Sequence, residues 1–178
     1  MIKHIHHVAY RCKNAKETVE WYGKYLEMDF VLAIAENEVP STGEPDPYMH
    51  VFLNAGANNI LAFFEVPTKP PMTRVTDAAT PEWTQHLAFE VASMADMLAV
   101  KARLEADGIG VIGPVDHSLF QSIYFFDPSG HRLELAVNTT TAAMSRRLDQ
   151  VKWDMLEEWD RTKRAPRHAS WMHDPNPD

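Results

Sequence analysis

The feature that most constrains this chain is that it repeats itself. HVAYRC at residues 7–12 returns 79 residues later as HLAFEV at 86–91, each reading His, aliphatic, Ala, aromatic, charged, apolar. A repeat of that length points to a duplicated supersecondary unit, and alternation of this kind is what a strand with two unlike faces requires. In the first copy His7, Ala9 and Arg11 share one face, and Val8, Tyr10 and Cys12 share the other. A helix is predicted after each opening strand. Asn14 with Glu17, and Ser93 with Asp96, have the spacing of N-terminal caps. The first helix should run to about Leu26, and the second should end near Asp107, where Gly108 can take the left-handed conformation that closes helices.

Apolar strands then follow in both copies. Each copy closes on a turn, NAGAN at 54–58 and DPSG at 127–130, and a last strand, ILAFFEV or RLELAV. The pattern is strand, helix and three strands, twice over. The expected fold class is therefore α+β, with two tandem βαβββ modules at about 4–66 and 84–138 joined by a proline-bearing linker at 67–83. Together they make a single domain over 1–141. Residues 142–178 read as a C-terminal amphipathic helix and tail, in which Leu148, Val151, Met155, Leu156 and Trp159 recur at helical spacing and should cover a sheet edge or a subunit contact. Glu36 to Pro47, rich in proline and acid, reads as an exposed connection or a lid.

Composition narrows the chemistry. Cys12 is the only cysteine, so an internal disulfide and a thiolate zinc cluster are both excluded, and any metal must be held by His and carboxylate. The net charge is −8, and the deficit lies before residue 142, because the seven basic and seven acidic residues beyond it cancel. That disfavours a nucleic-acid or anionic-membrane surface. No apolar run is long enough for a membrane span and the start lacks the layout of a secretory signal, so a cytoplasmic protein is expected. Gly-rich phosphate loops and Ser-His-Asp nucleophile patterns are not recognisable.

Alternation in the final strand sets Arg132, Glu134 and Ala136 opposite Leu133, Leu135 and Val137. His7 and His86 likewise point away from the residues that pack under the helices, so all three polar groups are expected on concave faces. Two imidazoles and one carboxylate leave adjacent positions open on a metal, the arrangement of a non-haem Fe(II) site. The same donors suit Mn, Co, Ni or Zn. His6 competes with His7 for the first ligand, but the alternation selects His7.

These residues carry a resemblance. The paired modules, the two His-aliphatic-Ala-aromatic openings and GHRLEL resemble the vicinal oxygen chelate (glyoxalase/bleomycin resistance/dioxygenase) superfamily over residues 4–138. VDHSLFQSIYFFDPSGHRLE, residues 115–134, is similar to the signature of type I extradiol ring-cleaving dioxygenases. His117, Ile123, Tyr124, Asp127, Pro128, Gly130 and Glu134 fill that signature in order. The resemblance implies cup-shaped mixed sheets with His7, His86 and Glu134 as metal ligands between the modules. It implies an Fe(II) extradiol-type dioxygenase acting on a small aromatic diol and O2, with Tyr124 bonding a substrate oxygen and His117 reaching the substrate side. A homo-oligomer, a dimer or higher, is expected.

Two positions depart from the family. Aligning ILAFFEV with RLELAV sets Ala62 where glyoxalase-like and epimerase-like members carry a fourth ligand, and a methyl group cannot coordinate. Asn59 stands where the extradiol enzymes carry a proton-transferring His; an amide hydrogen-bonds but does not shuttle a proton at neutral pH. His50, in PYMHVFL, is the candidate substitute. The alternatives are a lyase or isomerase using the metal as Lewis acid, with Glu65 or Glu90 as base, and a metal-free protein that sequesters a small molecule.

Overall fold

The computed structural model describes residues 3–72, 75, 79–165, 167 and 171. The first module contains β1 (Val8–Arg11), α1 (Ala15–Leu26), β2 (Asp29–Glu36), β3 (Tyr48–Asn54) and β4 (Ile60–Glu65). The second contains β5 (Leu87–Glu90), α2 (Met94–Ala106), β6 (Ile112–Asp116), β7 (Phe120–Phe126) and β8 (Arg132–Asn138), and α3 (Ala142–Thr162) follows. The sheets are separate and built alike, ordered β1-β4-β3-β2 and β5-β8-β7-β6, with the first pair of each parallel and the others antiparallel.

Local chemistry sets the element ends as expected. Asn14 Oδ1 accepts from the Glu17 amide at 2.8 Å, and Ser93 Oγ accepts from the Asp96 amide at 3.2 Å, each satisfying an otherwise orphaned helical donor. Gly108 takes φ +77° just past α2. At the β7–β8 turn Asp127 Oδ1 accepts the amides of Ser129 and His131 at 2.9 and 2.8 Å. Strand β6 carries a bulge between Ile112 and Val115, where Gly113 has φ +106°. A Cβ there would lie 2.5 Å from the Ser122 carbonyl, so only glycine lets β6 approach β7 so closely.

The packing of the helices decides where the polar faces point. Helix α1 lies against both modules: Tyr22 packs on Phe63 of β4 at 5.1 Å between ring centroids, and Trp21 on Phe125 of β7 at 6.1 Å. Tyr22, Leu53, Phe63, Met97, Leu104, Ile123, Phe125 and Leu133 join one core that spans the modules. The strand faces bearing Leu61, Phe63, Leu133 and Leu135 are therefore turned toward the helices. The opposite faces, carrying Ala62 in one sheet and Glu134 in the other, look away from that shared core.

Helix α3 forms as expected and caps on Thr141, but it buries no residue fully. Its Leu148, Val151 and Met155 are half-buried, whereas Trp153, Leu156 and Trp159 stay 68, 56 and 47% exposed. The expectation that Leu156 and Trp159 cover a sheet edge is not met within this chain. Arg147 stacks on Trp171 at 4.1 Å; most of the expected tail and part of the linker lie outside the described residues. No helix among the described residues is long and apolar enough to cross a membrane.

Candidate functional site

The register of the two parallel strand pairs is identical. Val8, Ala9 and Tyr10 sit opposite Leu61, Ala62 and Phe63, as Leu87, Ala88 and Phe89 sit opposite Leu133, Glu134 and Leu135. His7 and His86 thus enter equivalent corners of equivalent sheets, and Ala62 occupies the place that Glu134 holds in the second.

The second module gathers a linked polar cluster on its outward face. His86 Nε2 lies 2.9 Å from Glu134 Oε2. Glu134, only 2% exposed, also accepts the Ser122 hydroxyl and, on Oε1, the Tyr124 hydroxyl at 3.2 Å. His117 Nε2 lies 2.8 Å from the Tyr124 oxygen, bringing the loop after β6 to the cluster. Burial, and then the neighbouring Glu134 carboxylate, push the Tyr124 phenol above its ordinary value, so it stays a hydroxyl at neutral pH. Arg132, two residues before Glu134 on β8, stacks over the Tyr124 ring at 4.4 Å, and its buried Nε has no partner. The sequence places Arg132 on the Glu134 face but gives it no role and does not single out Ser122, although the i, i+2 periodicity that places Tyr124 places Ser122 on the same face.

The first module carries a different half. His7 lies 6.2 Å from His50 and 5.9 Å from Phe52, between ring centroids, and its Nδ1 is 2.8 Å from that of His6. His50 is 8% exposed, stacked on Phe64 at 3.5 Å, and its Nε2 has no partner. Burial, helped by His7, lowers its pKa. Asn59 belongs to neither cluster: its amide donates to the Gly56 carbonyl at 3.1 Å within an exposed turn.

The sequence leaves open whether the modules close one cup within a chain or between chains; in this fold His7 stands apart from His86 and Glu134. Among the described residues, no three His, Cys, Asp or Glu side chains come together to hold a metal. His86 and Glu134 meet, but His7 sits with His6 and His50 on the other sheet, because the helices fill the space between the modules. Glu65 is also unsuited to the role of free base, since its Oε2 accepts the Ala15 amide at 2.6 Å and so serves the start of α1. Glu90 is exposed beside a cavity of about 560 Å3 that Tyr25, Met28 and Arg103 also line.

Within one chain the His86–Glu134 pair offers a cation two donors. Glu134 is buried with hydroxyl and imidazole partners and no Lys or Arg ion pair among the described residues, and His86 remains partly open with a side chain 30% exposed. A buried carboxylate of this kind is stabilised by a cation at the imidazole side.

The profile of the Glyoxalase/Bleomycin resistance protein/Dioxygenase superfamily matches residues 4–135. Among solved structures, a glyoxalase family protein from Enterococcus faecalis is 26% identical, with a TM-score of 0.53 over 75% of this chain and 97% of that one. Lactoylglutathione lyase from Agrobacterium tumefaciens is 21% identical, with a TM-score of 0.51 over 76 and 94%. TnmS3, an antibiotic binding protein from Streptomyces sp. CB03234, is 20% identical, with a TM-score of 0.52 over 78 and 98%. The last two likenesses concern the fold alone. A comparison with curated proteins finds no match.

Proposed function

The chain belongs to the Glyoxalase/Bleomycin resistance protein/Dioxygenase superfamily, and from that premise we propose that it is a metal-dependent extradiol-type dioxygenase whose site is completed by a second copy of itself. The observation that carries this reading is the chain of contacts from His117 through Tyr124 to Glu134 and His86, made by residues of the 115–134 motif and the second repeat. Ala62, fully buried at the register position of Glu134, supports it over a four-ligand lyase, because the first sheet offers no carboxylate there.

His86 and Glu134 would hold a divalent cation, with His7 of a facing copy as the third donor. Two features support that assembly. His7 and Glu134 stand on faces turned away from one shared core. The first module's outward face is apolar and open, with Leu32 and Ile34 46 and 44% exposed beside Phe52 and His50. Fe(II) would supply adjacent open positions for a vicinal diol and O2, and an electron path between them; Mn, Co, Ni or Zn share the donor preference.

The chain's own residues then orient and protonate. Tyr124 stays protonated and donates to an oxygen at the Glu134 side, Ser122 holds the Glu134 carboxylate in place, and His117 hydrogen-bonds the Tyr124 oxygen and orients it toward the substrate side. Arg132 over the Tyr124 ring fixes its plane. His50 supplies a neutral imidazole from the facing half, in place of the proton-transferring His that Asn59 does not provide.

The test is to load the protein anaerobically with Fe(II), add catechols, admit air, and follow oxygen uptake and yellow ring-cleavage product. Uptake matched to product is the expected result. Activity with Ni or Zn and no oxygen uptake would replace this reading by a lyase or isomerase.

A further inference from the structure

On the outward face of the first module, beyond His50, the 37–47 connection folds back over the sheet. It is ordered by its own backbone bonds, with Val39 N donating to Glu44 O at 2.9 Å and Gly43 N to Val39 O at 2.7 Å. The segment after β4 meets it: Lys69 Nζ lies 2.8 Å from Asp46 Oδ2, and the Thr68 hydroxyl bonds the same carboxylate. Arg11 pins that segment from below, donating to the carbonyls of Val66, Lys69 and Pro70 at 3.5, 3.3 and 2.8 Å.

Under this roof lies a cavity of about 370 Å3 lined by Val39, Pro40, Tyr48, Phe64 and Val66, with Ser41 and Asp46 at its edge. Tyr48 and Phe64 meet edge to face at 5.4 Å, forming a rigid aromatic floor. The one acidic lining residue is already committed to Lys69 and Thr68, which hold Asp46 below the usual carboxylate range. The space therefore presents no free charge. Phe64 is also the ring on which His50 stacks, and His50 stands 6.2 Å from His7, so the cavity continues the apolar face that begins at His7.

We propose that this cavity is a specificity subsite that takes an uncharged aliphatic or aromatic arm of the substrate, held between Val39, Pro40 and Val66 above and Tyr48 and Phe64 below. The proposal rests on the functional reading above, and it narrows the substrate class to diols carrying an apolar substituent. Walls that are mostly apolar, with the one acid already paired, reward each buried methylene and penalise charge.

The experiment titrates 4-methyl-, 4-ethyl-, 4-propyl- and 4-butylphenol into the full chain without oxygen and measures Kd by calorimetry. Affinity should rise roughly three- to fourfold per added methylene, the fold-change that about 0.8 kcal/mol per buried CH2 implies. Val39→Asp, a change on the roof outside any strand or helix, should flatten the series. Pro40→Glu provides an independent second variant with the same expected flattening. A flat series in the unmodified protein, no binding of any member, or a gradient that survives both variants overturns the subsite. A graded series without ring cleavage of any catechol would sink the dioxygenase reading and keep the cavity, and turnover of plain catechol with a flat series would do the reverse.

Discussion

His86 Nε2 stands 2.9 Å from Glu134 Oε2, whereas His7, the counterpart of His86 in the repeat, finds the methyl of Ala62 where Glu134 would be. One duplicated frame has thus produced one half-site with a carboxylate and one without, on faces turned away from a shared core.

If the halves join between copies, complementation follows. His7→Ala and Glu134→Ala should each abolish Fe(II) retention, measured by metal analysis after gel filtration. Co-refolded chains carrying one change each should recover binding, because a mixed dimer keeps one intact pair of faces. No recovery, with both variants folded and dimeric, would refute the shared site.

Tyr124 bridges His117 and Glu134 through its hydroxyl. Tyr124→Phe keeps the ring under Arg132 and should cost about 1–3 kcal/mol of stability, because Glu134 is a buried carboxylate that loses a donor. On the proposed function, turnover should fall by about a hundredfold or more with little change in KM, since the lost hydroxyl donates to an oxygen at the Glu134 side. Steady-state kinetics beside a urea unfolding curve separate the two effects.

The neutral form of His50 is favoured in the fold, by burial first and by His7 second. As pH falls through the ordinary imidazole range near 6.5, the unfolded chain takes up this proton before the folded one, so stability is lost as the solution is acidified. The drop in Tm between pH 7.5 and 5.5 should be smaller in His50→Phe than in the parent. Equal drops in scanning calorimetry would argue against that linkage.

Tyr22 ties the modules together: fully buried on α1, it donates to Asp127 Oδ2 of the β7–β8 turn at 3.1 Å. Tyr22→Phe should cost about 1–3 kcal/mol, because it strips a partner from a buried carboxylate. A urea midpoint unchanged within error would show the bond to be idle.

The thiol of Cys12 is 1% exposed, and burial pushes its pKa up to about 11. It should resist iodoacetamide at pH 8 in the native protein and react promptly in denaturant, as counted by mass spectrometry.

Much of this arrangement was legible in the chain. Alternation and the repeat placed His86 and Glu134 on one face and paired Ala62 with Glu134 by position, because side-chain direction in a strand follows from its period of two. Caps at Asn14 and Ser93 and the Asp127 turn were equally readable, being local hydrogen-bond chemistry. What the sequence does not show is that Glu65 bonds the start of α1 and Asn59 its own turn, because a side chain engaged in this way looks, in sequence, like a free one.

The sequence alone determined which face of each strand carries His7, His86 and Glu134. Only the tertiary structure decided what those faces look toward. Burying Trp21 and Tyr22 of α1 against both sheets turned the faces that carry His7 and Glu134 outward, and no strand period contains that information, because it depends on apolar surface contributed by residues up to about a hundred positions apart in the chain.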